Sequence, residues 1–119
     1  YCRSMYQYAS TLKRVIDGDT VDLNVDLGFM VSTLVRFRLE GIDTPELKLD
    51  QLIAGKASKA HLEQMLSDAQ LGIIRVDSTG KDKYGRWVAK LYYVSVKTNQ
   101  MVDVSAQMII DGFAVPYIP

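Results

Sequence analysis

Cysteine is nearly absent from this 119-residue chain: the single one, Cys2, lies at the extreme N-terminus. Without a second thiol there is no internal disulfide, and a zinc site built on cysteines is excluded. Net charge is absent too, since 14 acidic residues balance 14 basic ones. The strong overall field of a protein that coats nucleic acid is therefore not expected, and any site for a polyanion must be local. Also missing is an apolar run of membrane-spanning length, and the opening YCRSMYQYAS lacks the apolar core of a secretory signal. A signal already removed would leave no trace, so localisation stays open. Met5 reads as a natural start, with residues 1–5 a lead that is disordered or left over from cloning. The whole of 1–119 is otherwise expected to be one domain.

What is present is the material of a self-sufficient core. Nearly half the residues are apolar and about a quarter are charged, and a chain of this length buries roughly two thirds of its unfolded surface. Residues 6–15, YQYASTLKRV, read as a first strand that ends at the turn-prone DGD. Val21, Leu23, Val25 and Leu27 then alternate with Asp22, Asn24 and Asp26, which predicts a second strand with one face in the core. A third follows a loop near GFM, with Val31, Val35, Phe37 and Leu39 on the apolar face and Arg36, Arg38 and Glu40 on the other. From about Ile53 to Ala69 the period lengthens: Leu62, Met65, Leu66 and Ala69 share a helical face beside Ser58. GIIRVDS and RWVAKLYYVSV supply strands four and five around TGKDKYG. A short last helix is capped by Asp103 or Ser105 and closes at Gly112, with Met108 and Ile109 buried.

Three strands, a helix, two strands and a helix is the order of a five-stranded OB-fold β-barrel, an α+β domain that closes its sheet and so protects the edges. An open α+β sheet with both helices on one face is the alternative. Neither fold assigns an activity.

Several polar residues invite a chemical reading. Asp17 and Asp19 share the parity of Val21 and Leu23, so the inward row of the second strand is expected to end in two acids at its mouth. Taken alone, DGDT is better explained as a turn. IDTPELK adds Asp43 and Glu46 around Pro45. Thr44 as a cap and Pro45 in a first turn would make a helix start, but no amphipathic pattern follows until after Leu52. Proline instead biases Thr44 towards an extended shape that fixes its carbonyl and the flanking acids, and oxygen donors of this kind suit Ca²⁺ or Mg²⁺. Arg38 and Arg86 are candidates for gripping phosphate. Lys81, Lys83, Arg86 and Lys90 against Asp82 give the hairpin a local positive excess. His61 reads as a surface residue rather than a base, and Trp87, Tyr92 and Tyr93 as barrel wall rather than a base-stacking platform.

Taken together and in order, VIDGDTVDL, FRLEGIDTPE, KDKYGRWVAKLYY and IIDGFAVPY resemble the staphylococcal nuclease family over nearly the entire chain. That resemblance implies the OB-type barrel and a Ca²⁺-dependent nuclease that hydrolyses DNA and RNA, leaving a 3′-phosphate and favouring single-stranded or flexible substrates. It implies Asp19 and Asp43 as Ca²⁺ ligands, assisted by the Thr44 carbonyl, with Asp17 behind them. It further implies Glu46 as general base, Arg38 and Arg86 as phosphate-binding arginines, Lys83 and Tyr84 on the neighbouring phosphate, and Tyr117 lining the nucleotide site. No membrane or obligate protein partner is implied. Two features depart from the best-known enzyme of the family. The connection NVDLGFMVSTLV is longer, and the chain is neutral where that enzyme is basic, which implies weaker and less salt-sensitive binding. A noncatalytic nucleic-acid or peptide-binding module, and a scaffold, are the rival expectations.

Overall fold

The alternating segments form strands because each can put one apolar row into a common interior. In a computed structural model, which describes residues 7–43, 52–81 and 85–116, they close into a barrel. The side chains of Asp43, residues 52–54 and Thr79 are outside that description. β1 (Gln7–Asp17), β2 (Thr20–Gly28) and β3 (Val31–Leu39) form an antiparallel meander. β1 also pairs with β5 (Ile74–Lys81), which pairs with β6 (Trp87–Val94). Closure comes from a parallel contact between β3 and β6 that matches Phe37 with Trp87, Arg38 with Val88 and Leu39 with Ala89. This is the α+β OB-type barrel with two helices that the order of elements predicts.

α1 (Leu52–Ser67) packs against β1, and α2 (Val104–Ile110) packs against β6. The expected helical face is buried: Leu62, Met65, Leu66 and the following Ala69 join the barrel interior of Val21, Leu23, Phe37, Leu39, Ile74, Val76 and Leu91. Ser58 is buried on the same face, and its hydroxyl donates to the Phe113 carbonyl at 2.9 Å. Asp103 caps α2, accepting from the Ala106 amide at 3.2 Å. Three short strands were not legible in the pattern. β4 (Ile42–Asp43) pairs with β8 (Val115–Pro116), and β7 (Met101–Asp103) extends the sheet beside β6. None is long enough to establish a period.

Two apolar rows outrun the barrel. Leu27 and Val31 have the parity of core residues but are 44% and 53% exposed. The β2–β3 hairpin projects past the last β1–β2 pair, Ala9 with Asp26, and past the β3–β6 contact, so among the described residues no further strand packs over them. At its tip Phe29 and Met30 both adopt positive φ, 54° and 63°, and both are fully exposed. A tight hairpin of this twist favours Asn-Gly there, so the pair is held in strained backbone.

On the outer face of the meander, Asp22 is buried beneath two arginines. Arg36 Nε and Arg14 Nε each donate to it at 2.8 Å, and their side chains are more than half exposed. The Arg36 hydrogen bond is the main influence holding the Asp22 carboxyl below the usual carboxylate range; burial opposes it and Arg14 assists. The folded form therefore gains from ionised Asp22 above the unfolded pKa near 3.8, and loses that gain as pH falls through the lower folded value. Asp22→Asn should lower stability at neutral pH by about 1–2 kcal/mol, a figure limited by solvent around the guanidiniums. Thermal denaturation followed from pH 6 down to about pH 2 should then show a shallower acid decline in the variant than in the parent. Parallel profiles would exclude Asp22 as a source of the decline.

Candidate nucleic-acid site at the barrel mouth

The DGDT turn and the end of β3 meet because β2 and β3 are paired in register. Thr20 lies opposite Arg38, and the Leu39 amide donates to the Asp19 carbonyl at 2.8 Å. Asp19 is thereby fixed at the rim, where Thr20 Oγ1 donates to its Oδ1 at 3.1 Å. Arg38 Nη2 lies 3.6 Å from Asp19 Oδ2, and the two side chains are only 11% and 13% exposed. The same guanidinium donates from Nη2 to the Ile42 carbonyl at 3.1 Å and from Nη1 to the Leu39 carbonyl at 3.4 Å. Strand parity alone does not bring Asp19 and Arg38 together; the register does.

Arg86 arrives from the other side. The parallel pairing begins at Phe37 with Trp87, so Gly85 and Arg86, which immediately precede β6, lie on the Arg36 side of that contact. Gly85 has φ of 79°, a left-handed turn that suits glycine. Arg38 and Arg86 line one groove of about 500 Å³, together with Thr20, Arg36, Gly85 and Trp87. Its remaining wall is Thr33, Leu34 and Val35, on the part of β3 that β6 does not reach.

The other expected site residues divide between partly described and undescribed positions. The backbone of Asp43 lies in β4, next to the Ile42 carbonyl held by Arg38, and pairs with Val115. Thr44, Glu46, Lys83, Tyr84 and Tyr117 lie outside the described residues. β8 nevertheless brings the chain immediately before Tyr117 alongside β4. As a donor to a metal, the Asp19 carboxylate has the hard oxygen chemistry that Ca²⁺ or Mg²⁺ takes. Among the described residues no group of three or more His, Cys, Asp or Glu gathers as a metal cluster. The rest of the expected donor set, the Asp43 side chain and the Thr44 carbonyl, falls outside them.

Two aromatic assignments change. Trp87 is in phase with the buried row Ala89, Leu91 and Tyr93, yet is 43% exposed. It stands at the rim where the row leaves the barrel, and parity cannot reveal where a barrel ends. Tyr93 is barrel wall as expected, and burial is the main cause that pushes its hydroxyl pKa up to about 12. His61 is half-buried rather than merely on the surface: its ring stacks on Phe113 with centroids 4.2 Å apart, and Nε2 meets Asp111 Oδ2 at 2.7 Å. It joins α1 to the segment after α2. Thr20, which anchors Asp19, was missed; its place directly after the acid in DGDT was the available signal.

Residues 36–118 match the family described as staphylococcal nuclease homologue. The chain is 30% identical over 117 residues to Endonuclease YhcR of Bacillus subtilis (strain 168), covering 93% of this chain and 9% of that protein. It is also 30% identical over 113 residues to Protein ParB of Escherichia coli, covering 87% of this chain and 54% of that protein. The chain thus spans about a tenth and about half of these two relatives.

The shared grip of one guanidinium on two carbonyls and a carboxylate sets a test of the rim. Arg38→Lys keeps the charge but not the fork, so it should lower stability by about 1–2 kcal/mol in urea denaturation. An unchanged midpoint would show that the rim does not depend on this geometry.

Proposed function

The chain belongs to the staphylococcal nuclease family, and from that premise we propose that it is a calcium-dependent nuclease hydrolysing phosphodiester bonds in DNA and RNA. Single-stranded or flexible strands are its preferred substrates, because a shallow rim must reach the backbone of an unstacked strand. The observation that carries the reading is the lining of one groove by Arg38 and Arg86, with Asp19 beside Arg38. Guanidinium forks match phosphate oxygens, and a carboxylate next to them suits a hard cation rather than a second phosphate.

In this reading Asp19, Asp43 and the Thr44 carbonyl hold Ca²⁺, which when bound supplies positive charge to a phosphate oxygen. Glu46 takes a proton from the water that attacks phosphorus. Arg38 and Arg86 donate to the phosphoryl oxygens as negative charge builds there, and their partners at the rim keep them oriented before substrate arrives. Lys83 and Tyr84 hold the neighbouring phosphate, and Tyr117 lines the nucleotide. Because the chain carries no net charge, binding depends on this local set rather than on a general field.

Incubation of the protein with labelled DNA and RNA, with Ca²⁺ or with chelator, should give fragments only with the metal. Retardation of the oligonucleotide without shortening would instead identify a noncatalytic binding module. Glu46→Gln should reduce turnover by roughly 10²- to 10⁴-fold; unchanged turnover would remove Glu46 as base. Asp19→Ala should weaken Ca²⁺ binding in titration calorimetry, and an isotherm identical to the parent would remove it from the ligand set.

A further inference from the structure

The groove does not end at the arginines. Along β3 it continues from Arg38 back to Thr33, a distance of about 16 Å at strand rise. One end of this wall is cationic and the other is apolar, through Leu34 and Val35. Leu34 is 55% exposed although it lies on the open edge of a sheet, and Trp87 stands exposed in the facing wall. Lys81, the cross-strand partner of Trp87, lies outside the groove lining and sets Nζ 4.7 Å from the indole centroid. A cation over one part of the ring braces it and adds positive charge close by. Arg36 also lines the groove, while two of its nitrogens remain on Asp22.

Aromatic surface interleaved with guanidinium groups is the chemistry of a single strand: bases stack on the ring and phosphates meet the cations. A peptide strand on the open edge of β3 would find backbone partners there, but it would make no use of three arginines on the same walls. Charge complementarity therefore favours the polyanion.

Resting on the nuclease reading above, we propose that Trp87 is a base-stacking platform that extends the substrate site. An unstacked nucleobase lies on the indole against the Leu34–Val35 wall, and the phosphates on either side of it meet Arg86 and Arg36. The platform holds a nucleotide next to the one at Arg38 and Asp19, so it selects strands whose bases are free of pairing. A duplex keeps its bases stacked on one another and cannot use it.

Trp87 is the only tryptophan of the chain, so its emission reports on this position alone. The full chain, in chelator to prevent cleavage, is titrated with a single-stranded oligothymidylate and with an abasic strand of equal length and charge. The oligothymidylate should quench the emission saturably and bind about 10-fold more tightly than the abasic strand. By fluorescence anisotropy of end-labelled strands, Trp87→Ala should remove most of that preference, leaving only what Tyr117 supplies, while leaving abasic binding as it was, and Trp87→Phe should restore most of the loss. Equal affinity of the parent for the two strands, or equal weakening of both by Trp87→Ala, would overturn the platform. If the parent still cleaves DNA with Ca²⁺ under either of those results, the nuclease reading survives and only the platform is lost. A parent that neither cleaves nor binds any strand would overturn both.

Discussion

The short parallel contact between β3 and β6 is the constraint on which the rest of the molecule depends. It spans only Phe37–Leu39 against Trp87–Ala89, yet it converts a curved sheet into a closed barrel. Its inner residues, Phe37, Leu39 and Ala89, are buried, so closure is held by removal of apolar surface as well as by ladder hydrogen bonds. The alternating parity of the strands then delivers Arg38 from the same contact to the rim. Arg86 reaches that rim because it immediately precedes the pairing. One structural event therefore completes the core and assembles two cations separated by almost fifty residues.

Cations gathered in this way repel one another unless anions or carbonyls are interleaved with them. At the rim Arg38 is held by Asp19 and by the carbonyls of Leu39 and Ile42. On the outer face, Asp22 lies between Arg14 and Arg36. In both places the carboxylate is the more buried or equally buried partner, while the register of β2 and β3 sets the distance. On the outer face solvent around the guanidiniums limits what the pairs add to stability, whereas at the rim both Asp19 and Arg38 are largely buried and the contact also fixes the guanidinium's orientation. In the proposed function, an oriented guanidinium needs little reorganisation when a phosphate arrives, so a neutral protein would present a local anion site.

Because the closing contact is short, it leaves a residual edge. Before that contact begins, β2 is the one described strand that pairs with β3; Val31 and Leu34, with Leu27 on β2, stand in solvent and the hairpin ends in the strained Phe29–Met30 turn. The same boundary exposes Trp87. A longer β3–β6 ladder would bury these groups and fill the groove. In the proposed function, the incomplete closure gives the barrel mouth a wall on which a substrate strand lies.

Much of the architecture was legible because it follows from side-chain period. Val21, Leu23 and Val25 announced β2, and Ser58, Leu62, Met65 and Leu66 announced the buried face of α1, since periods of 2 and 3.6 leave different marks on a chain. The resemblance of four motifs placed Asp19, Arg38 and Arg86 in one expected set, of which Asp19 lies beside Arg38 and Arg38 shares a groove with Arg86. Period is blind to where a strand leaves the barrel, however, so Leu27, Val31 and Trp87 carried core parity into exposed positions. It is equally blind to pairs too short to repeat, such as β4 with β8. The sequence by itself determined the longer elements, their order and which residue types were available for chemistry, because those depend on near neighbours along the chain. Only the tertiary structure decided that Asp19 lies beside Arg38, that Arg86 shares a groove with Arg38 and that Trp87 lines it too, because each depends on the register between strands.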